Sequence, residues 1–133
     1  MEAASADFMS IGSNDLIQYV MAAGRDVRAV ADLYDPRNPA VLELIERVVA
    51  AGRRRGIEVS RCGDMASEPT LVPQLLELGL RRLSVAPTSL GAVKAAIASW
   101  RRTGPGAVSE AARGARAPHA KKDAAITQLE VRR

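Results

Sequence analysis

The sequence predicts an α/β fold with parallel strands. Three observations carry this: short β-prone runs alternate with helical patterns, each run opens into a polar loop, and apolar residues recur at helical spacing between them. Such alternation implies parallel pairing through right-handed crossovers. In folds of this kind the chemistry sits on loops beyond the C-terminal ends of the strands.

The first strand is expected at Phe8–Ile11. It enters the polar turn Gly12-Ser13-Asn14-Asp15 and a helix over Leu16–Met21, which Asn14 or Asp15 can cap by accepting its free N–H groups. A short helical piece is expected near Val27–Leu33. Asn38-Pro39 starts a longer helix, because proline at the first helical position loses no hydrogen bond. Val41, Leu44, Ile45, Val48 and Val49 form its apolar stripe. Arg53, Arg54 and Arg55 suit its C-terminal dipole, and Gly56 stops it. A second strand over Ile57–Ser60 leads to the loop Arg61–Glu68 and a helix from Pro69 to Leu78. A third strand, Arg82–Val85, leads to a helix capped by Ser89 and carrying Leu90, Val93, Ile97 and Trp100.

Composition bounds the class. With 133 residues, 47% of them apolar and 26% charged, the chain suits one packed domain. No run of about 20 apolar residues marks a membrane span. The single cysteine, Cys62, excludes an internal disulfide or a cysteine-cluster zinc site and suits a reducing cytosol. Met1–Asp7 lacks signal-peptide character, which also points to the cytoplasm. From 104 to 133 there are six basic and three acidic residues, which accounts for +3 of the net +4. This stretch lacks aromatic residues and sustained apolar periodicity. It is expected to be a disordered basic tail, with a short helix near Asp123–Val131. Without aromatics to stack bases, the tail argues against nucleic-acid binding.

The loops carry the candidate chemistry. Gly12–Asp15 joins an amide, a carboxylate and a helix N-terminus, a combination that can bind phosphate or, through Asp15, Mg²⁺; it can equally be plain capping. Cys62, at a strand end before Gly63, can be an acid, a nucleophile or an inert buried thiol. Arg25 and Arg61 can clamp phosphate or carboxylate, or simply be solvated. His119 has no scaffold in the tail and is set aside.

The run Asp7–Tyr19 (DFMSIGSNDLIQY) resembles a strand-six segment of phosphoenolpyruvate–protein phosphotransferase, enzyme I of the sugar phosphotransferase system. Leu33-Tyr34-Asp35-Pro36, Asn38–Leu42, Arg61–Ala66 and Leu83–Leu90 continue the resemblance in order, the last being most similar to the nitrogen-related form. The resemblance covers Ala6 to Trp100. It implies that residues 1–103 are the last three β/α units of a (β/α)₈ TIM barrel that binds phosphoenolpyruvate and Mg²⁺. By position, Asp15 corresponds to a metal ligand, Asn14 and Arg25 to phosphoenolpyruvate-binding residues, and Cys62 to the proton donor that completes pyruvate. Asp15, as a metal ligand, also belongs to the substrate-binding set.

Three positions depart from the family: Gly24 replaces an acidic residue, Arg61 a methionine and Asp64 a glutamate. Arg61 is expected to favour a Cys62 thiolate. The resemblance leaves upstream the other substrate arginines, a second metal carboxylate and the phosphorylated histidine domain. Two functions stand open. One is a segment of a phosphotransferase that requires the missing N-terminal half and serves a phosphocarrier protein. The other is a truncated, non-catalytic remnant or assembly module. Three strands leave open edges, so self-association is expected.

Overall fold

The structure, a computed structural model, describes residues 6–24, 27, 29–104 and 127–130. Three strands run parallel in sequential order: β1 (Phe8–Gly12), β2 (Glu58–Cys62) and β3 (Arg82–Val85). Helices α1 (Ser13–Met21) and α2 (Pro39–Arg55) connect β1 to β2. Helices α3 (Asp64–Ser67) and α4 (Val72–Glu77) connect β2 to β3, and α5 (Leu90–Thr103) follows β3.

Alternation along the strands separates two faces. The register pairs Phe8 with Glu58, Ser10 with Ser60 and Gly12 with Cys62, and Ser60 with Arg82. One face therefore carries Phe8, Ser10, Gly12, Glu58, Ser60, Cys62, Arg82 and Ser84. The other presents Ile11, Val59, Leu83 and Val85 to the helices. There, Ile17 of α1, Val41, Ile45 and Val49 of α2, Leu75 and Leu76 of α4, and Val93 and Ile97 of α5 close a single apolar core. A sheet wound in one direction, with helices over one face, leaves its other face polar.

The helix boundaries follow local chemistry. Asn38 caps α2 by accepting from Ala40 N at 2.9 Å, with Pro39 in the first turn. Gly56, at φ 66°, ends it in the left-handed conformation. The short helical piece forms as a 3₁₀ turn at Ala31–Leu33.

Several expectations are corrected. Gly12, not Asn14 or Asp15, occupies the N-cap of α1, and no side chain caps that helix. Ser89 makes no capping bond either, because its backbone is already helical at the end of a 3₁₀ turn over Pro87–Ser89. The helix expected from Pro69 begins at Val72. Glu68 is extended before proline, and Pro73 is accommodated in the first turn. The Arg61–Glu68 loop contains α3. Where a short helix was expected, Thr127–Glu130 forms β4, antiparallel to β3. Alternation of Leu129 and Val131 with Gln128 and Glu130 is a period-2 signal that the composition of the surrounding tail hides. β4 covers one of the two expected open edges, and β1 is the other outer strand. No described helix is long and apolar enough to cross a membrane.

Gly52 permits α2 to lie close on the sheet. A Cβ there would overlap Val59 Cγ2 and sit 2.9 Å from the Ile57 carbonyl oxygen. Alanine would improve helix propensity by ~1 kcal/mol, but forcing the helix off the sheet costs about 1–3 kcal/mol. Gly52→Ala is therefore expected to lower the urea midpoint. An unchanged or higher midpoint would show that the packing yields without cost.

Candidate functional site

β1 and β2 end side by side, so their loops meet at one rim. Ser13, fully buried, donates its hydroxyl to the Cys62 carbonyl oxygen at 2.8 Å. The Asn14 side-chain oxygen accepts from Asp64 N at 3.2 Å. Gly63 is indispensable at this junction: its φ is 102°, and a Cβ would overlap Ser13 Oγ and lie 3.0 Å from Asn14 Oδ1. The third loop joins the second where Ala86 N donates to Ser67 Oγ at 2.8 Å.

Asn14, Asp15 and Cys62 therefore lie together at the C-terminal ends of the strands. Asp15 is exposed, and its Oδ2 stands 3.7 Å from where a Gly12 side chain would begin. The bare Gly12 lies directly across from Cys62. The Cys62 thiol donates to the Ile11 carbonyl oxygen at 3.6 Å and accepts from Ser10 Oγ at 3.7 Å. Arg25 lies outside the described residues.

Arg61 does not join Cys62 at the rim. Adjacent strand residues point to opposite faces, so its side chain enters the helix-side core and is wholly buried. One Nη donates to the Met65 sulfur; Nε and the other Nη have no hydrogen-bond partner. Burial lowers its pKa to about 9, opposed by the attraction of Cys62 and Tyr34. Arg61 is therefore no surface clamp, and its charge is held behind the sheet.

Ser10, Ser13 and Ser67 were not singled out from the sequence. Small polar residues in loops are too common to signal a role, and theirs depends on the register between strands about 50 residues apart. Among the described residues, no three His, Cys, Asp or Glu side chains cluster to hold a metal. Asp15 is an accessible oxygen donor of the type Mg²⁺ takes, which binds few protein carboxylates and fills its shell with substrate oxygens and water. It fits one ligand position.

Residues 2–102 match the family described as PEP-utilising enzyme, PEP-binding domain. The chain belongs to this family. It is 49% identical over 88 residues to the phosphoenolpyruvate-protein phosphotransferase of Cupriavidus necator. It is 52% identical over the same length to those of Bacillus sp. (strain S) and Geobacillus stearothermophilus. Each match covers 66% of this chain and 15% of the relative. This family member thus spans a small part of the relatives it matches.

Arg61 supplies a stability test. Its folded pKa lies below its ordinary value, so the unfolded chain binds this proton more tightly. The destabilisation is complete below pH 9 and fades as pH rises toward 12. Arg61→Met fills the same space without the charge. It is expected to stabilise the fold by about 1–4 kcal/mol at pH 7, with the gain over wild type shrinking above pH 9. Denaturant unfolding of both proteins at pH 7 and pH 10 reads this out. A destabilised variant at pH 7 would mean that the guanidinium is satisfied in solution.

Proposed function

We propose that this chain supplies one wall of a phosphoenolpyruvate site in a phosphotransferase whose remaining length is carried on another chain or on a longer form of this one. The observation that carries this is the meeting of Asn14, Asp15 and Cys62 at one rim, locked by the Ser13–Cys62 and Asn14–Asp64 bonds. The singly wound parallel sheet supports reading residues 1–103 as the last three units of a TIM barrel. The polar face would line its interior, and the outer edge of β1 would receive the preceding unit. The form of Leu83–Leu90 supports the nitrogen-related version of the enzyme.

In this reading each residue has a definite task. Asn14, at the uncapped N-terminus of the nine-residue α1, binds the substrate phosphate together with the free N–H groups of that turn. Arg25 adds a cation to the same phosphate. Asp15 would hold Mg²⁺, which when bound neutralises charge on the phosphoryl oxygens. Cys62 holds a proton on Sγ and delivers it to the enolate carbon as the phosphoryl group leaves, giving pyruvate and a thiolate. The phosphoryl group passes to a histidine in the remaining length of the enzyme and onward to a phosphocarrier protein. The site needs an undistorted thiol, which the Ile11 carbonyl and Ser10 hydroxyl orient.

A non-catalytic assembly module is the alternative, in which the β1 edge pairs with a second copy. Reconstitution separates the two readings. The chain mixed with the complementary part of a relative is expected to release pyruvate from phosphoenolpyruvate with Mg²⁺. Cys62→Ala and Asp15→Ala should each lower that rate at least 100-fold. Absence of pyruvate from a complex shown to have formed would leave the assembly reading.

A further inference from the structure

The sheet mixes two strand directions. β1, β2 and β3 run parallel, and β4 runs against them. A parallel neighbour needs a long crossover, usually helical, before the chain can pair in the same direction. β4 is therefore not a further β/α unit of the sheet. It lies along the edge that the last unit leaves open.

Its pairing takes up the whole of that edge. β3 is four residues long, and each has a β4 partner: Arg82 with Glu130, Leu83 with Leu129, Ser84 with Gln128 and Val85 with Thr127. On its other side β3 pairs with β2, through Ser60–Arg82 and Arg61–Leu83. A strand has two edges, so no third strand can reach the main chain of β3 while β4 is in place.

In the proposed function, on which this inference rests, β3 is the last strand of a barrel. Closing a barrel pairs the last strand with the first, in parallel, and leaves no edge. That first strand would come from the remaining length of the enzyme. It would need the same N–H and C=O groups of β3 that β4 now occupies, so the two exclude each other. β4 is short enough to exchange: four residues, against about five or six in an ordinary strand. Being part of the same chain, it meets the edge at the high effective concentration of a tethered group. The closing strand would arrive with the packing of a whole domain behind it.

We infer that β4 is a place-holder, which guards the β3 edge in the separate chain and is displaced by the strand that closes the barrel. A partner that binds only the uncovered form has its apparent affinity lowered by the fraction of molecules whose edge is free. Assembly is then a strand exchange at β3, together with a simple strand addition at β1.

The test compares the full chain with its double variant Gln128→Pro/Leu129→Pro. Successive N–H groups of a strand face opposite edges, so one of two adjacent prolines removes a donor to β3. Hydrogen–deuterium exchange of the free chains comes first. Residues 127–130 should be protected in the wild type and exchange freely in the variant, with β1 and β2 unchanged. Unprotected 127–130 in the free wild type would overturn the inference at once. Each chain is then titrated calorimetrically with the phosphoenolpyruvate-protein phosphotransferase of Geobacillus stearothermophilus, cut short of the stretch that matches this chain and verified as folded by circular dichroism. The variant should bind about ten-fold more tightly, the ratio for an edge free in about one molecule in ten. Wild-type residues 127–130 should lose their protection in the complex. Equal affinities, or protection kept at 127–130 in the complex, would overturn the exchange and leave the phosphotransferase reading standing. A folded relative that binds neither form would overturn that reading, and the exchange with it.

Discussion

The parallel register that sets Gly12 across from Cys62 governs the rest of the molecule. Side chains alternate faces along a strand, so a slip of one residue would exchange everything the two faces carry. Cys62 would enter the helix-side core, and Arg61 would emerge on the polar face. The register is held from both sides. Ile11, Val59 and Leu83 are drawn into the core, and the Ser13 hydroxyl grips the Cys62 carbonyl beyond the strand ends. Gly63 lets this grip form, because any larger residue would occupy the space of Ser13 Oγ and Asn14 Oδ1. Packing in the core and geometry at the rim are thus two results of one alignment.

Arg61 shows what this alignment costs at a single position. The strand directs the side chain inward regardless of its chemistry, and the core offers only the Met65 sulfur as acceptor. Desolvating a guanidinium so poorly compensated opposes folding. The surrounding apolar burial outweighs it, since each fully buried aliphatic side chain contributes about 1.5–3 kcal/mol. The same geometry sends the Arg61 side chain and the Cys62 thiol to opposite faces of the sheet, and the thiol donates to the Ile11 carbonyl oxygen.

Much of the fold was legible in the sequence because it is written in local patterns. Asn38-Pro39 and Gly56 mark the ends of α2 by capping chemistry, and its apolar stripe is regular. The three strand cores were equally plain. What was missed depends on partners distant in sequence. Ser13 looks like a turn residue until β2 arrives beside it, and the inward path of Arg61 requires knowing its strand's phase. β4 was hidden because its four residues sit in a stretch whose composition argues for disorder; pairing to the exposed edge of β3 supplies the missing stabilisation. At the site, the types and order of Asn14, Asp15 and Cys62 could be read, and parallel topology put their loops at one rim; the Ser13–Cys62 and Asn14–Asp64 bonds that join the loops could not be read.

The distribution of charge bears on why this wall alone would hold a phosphorylated substrate poorly. The rim exposes the carboxylates of Asp15 and Asp64, with Glu68 nearby, and two arginines near that end, Arg37 and Arg61, are buried. Arg54, Arg55, Arg101 and Arg102, exposed and without an ion pair among the described residues, lie instead at the opposite end. Helix N–H groups supply only partial positive charge. In the proposed reading, a phosphate at this rim would meet the exposed Asp15 carboxylate and need cations to balance it. Those cations must come from Arg25, from a bound divalent ion, or from the rest of the pocket. In the proposed reading, a wall carrying Asp15 gains its use when cations are set opposite it, as a site divided between two parts of an enzyme would need.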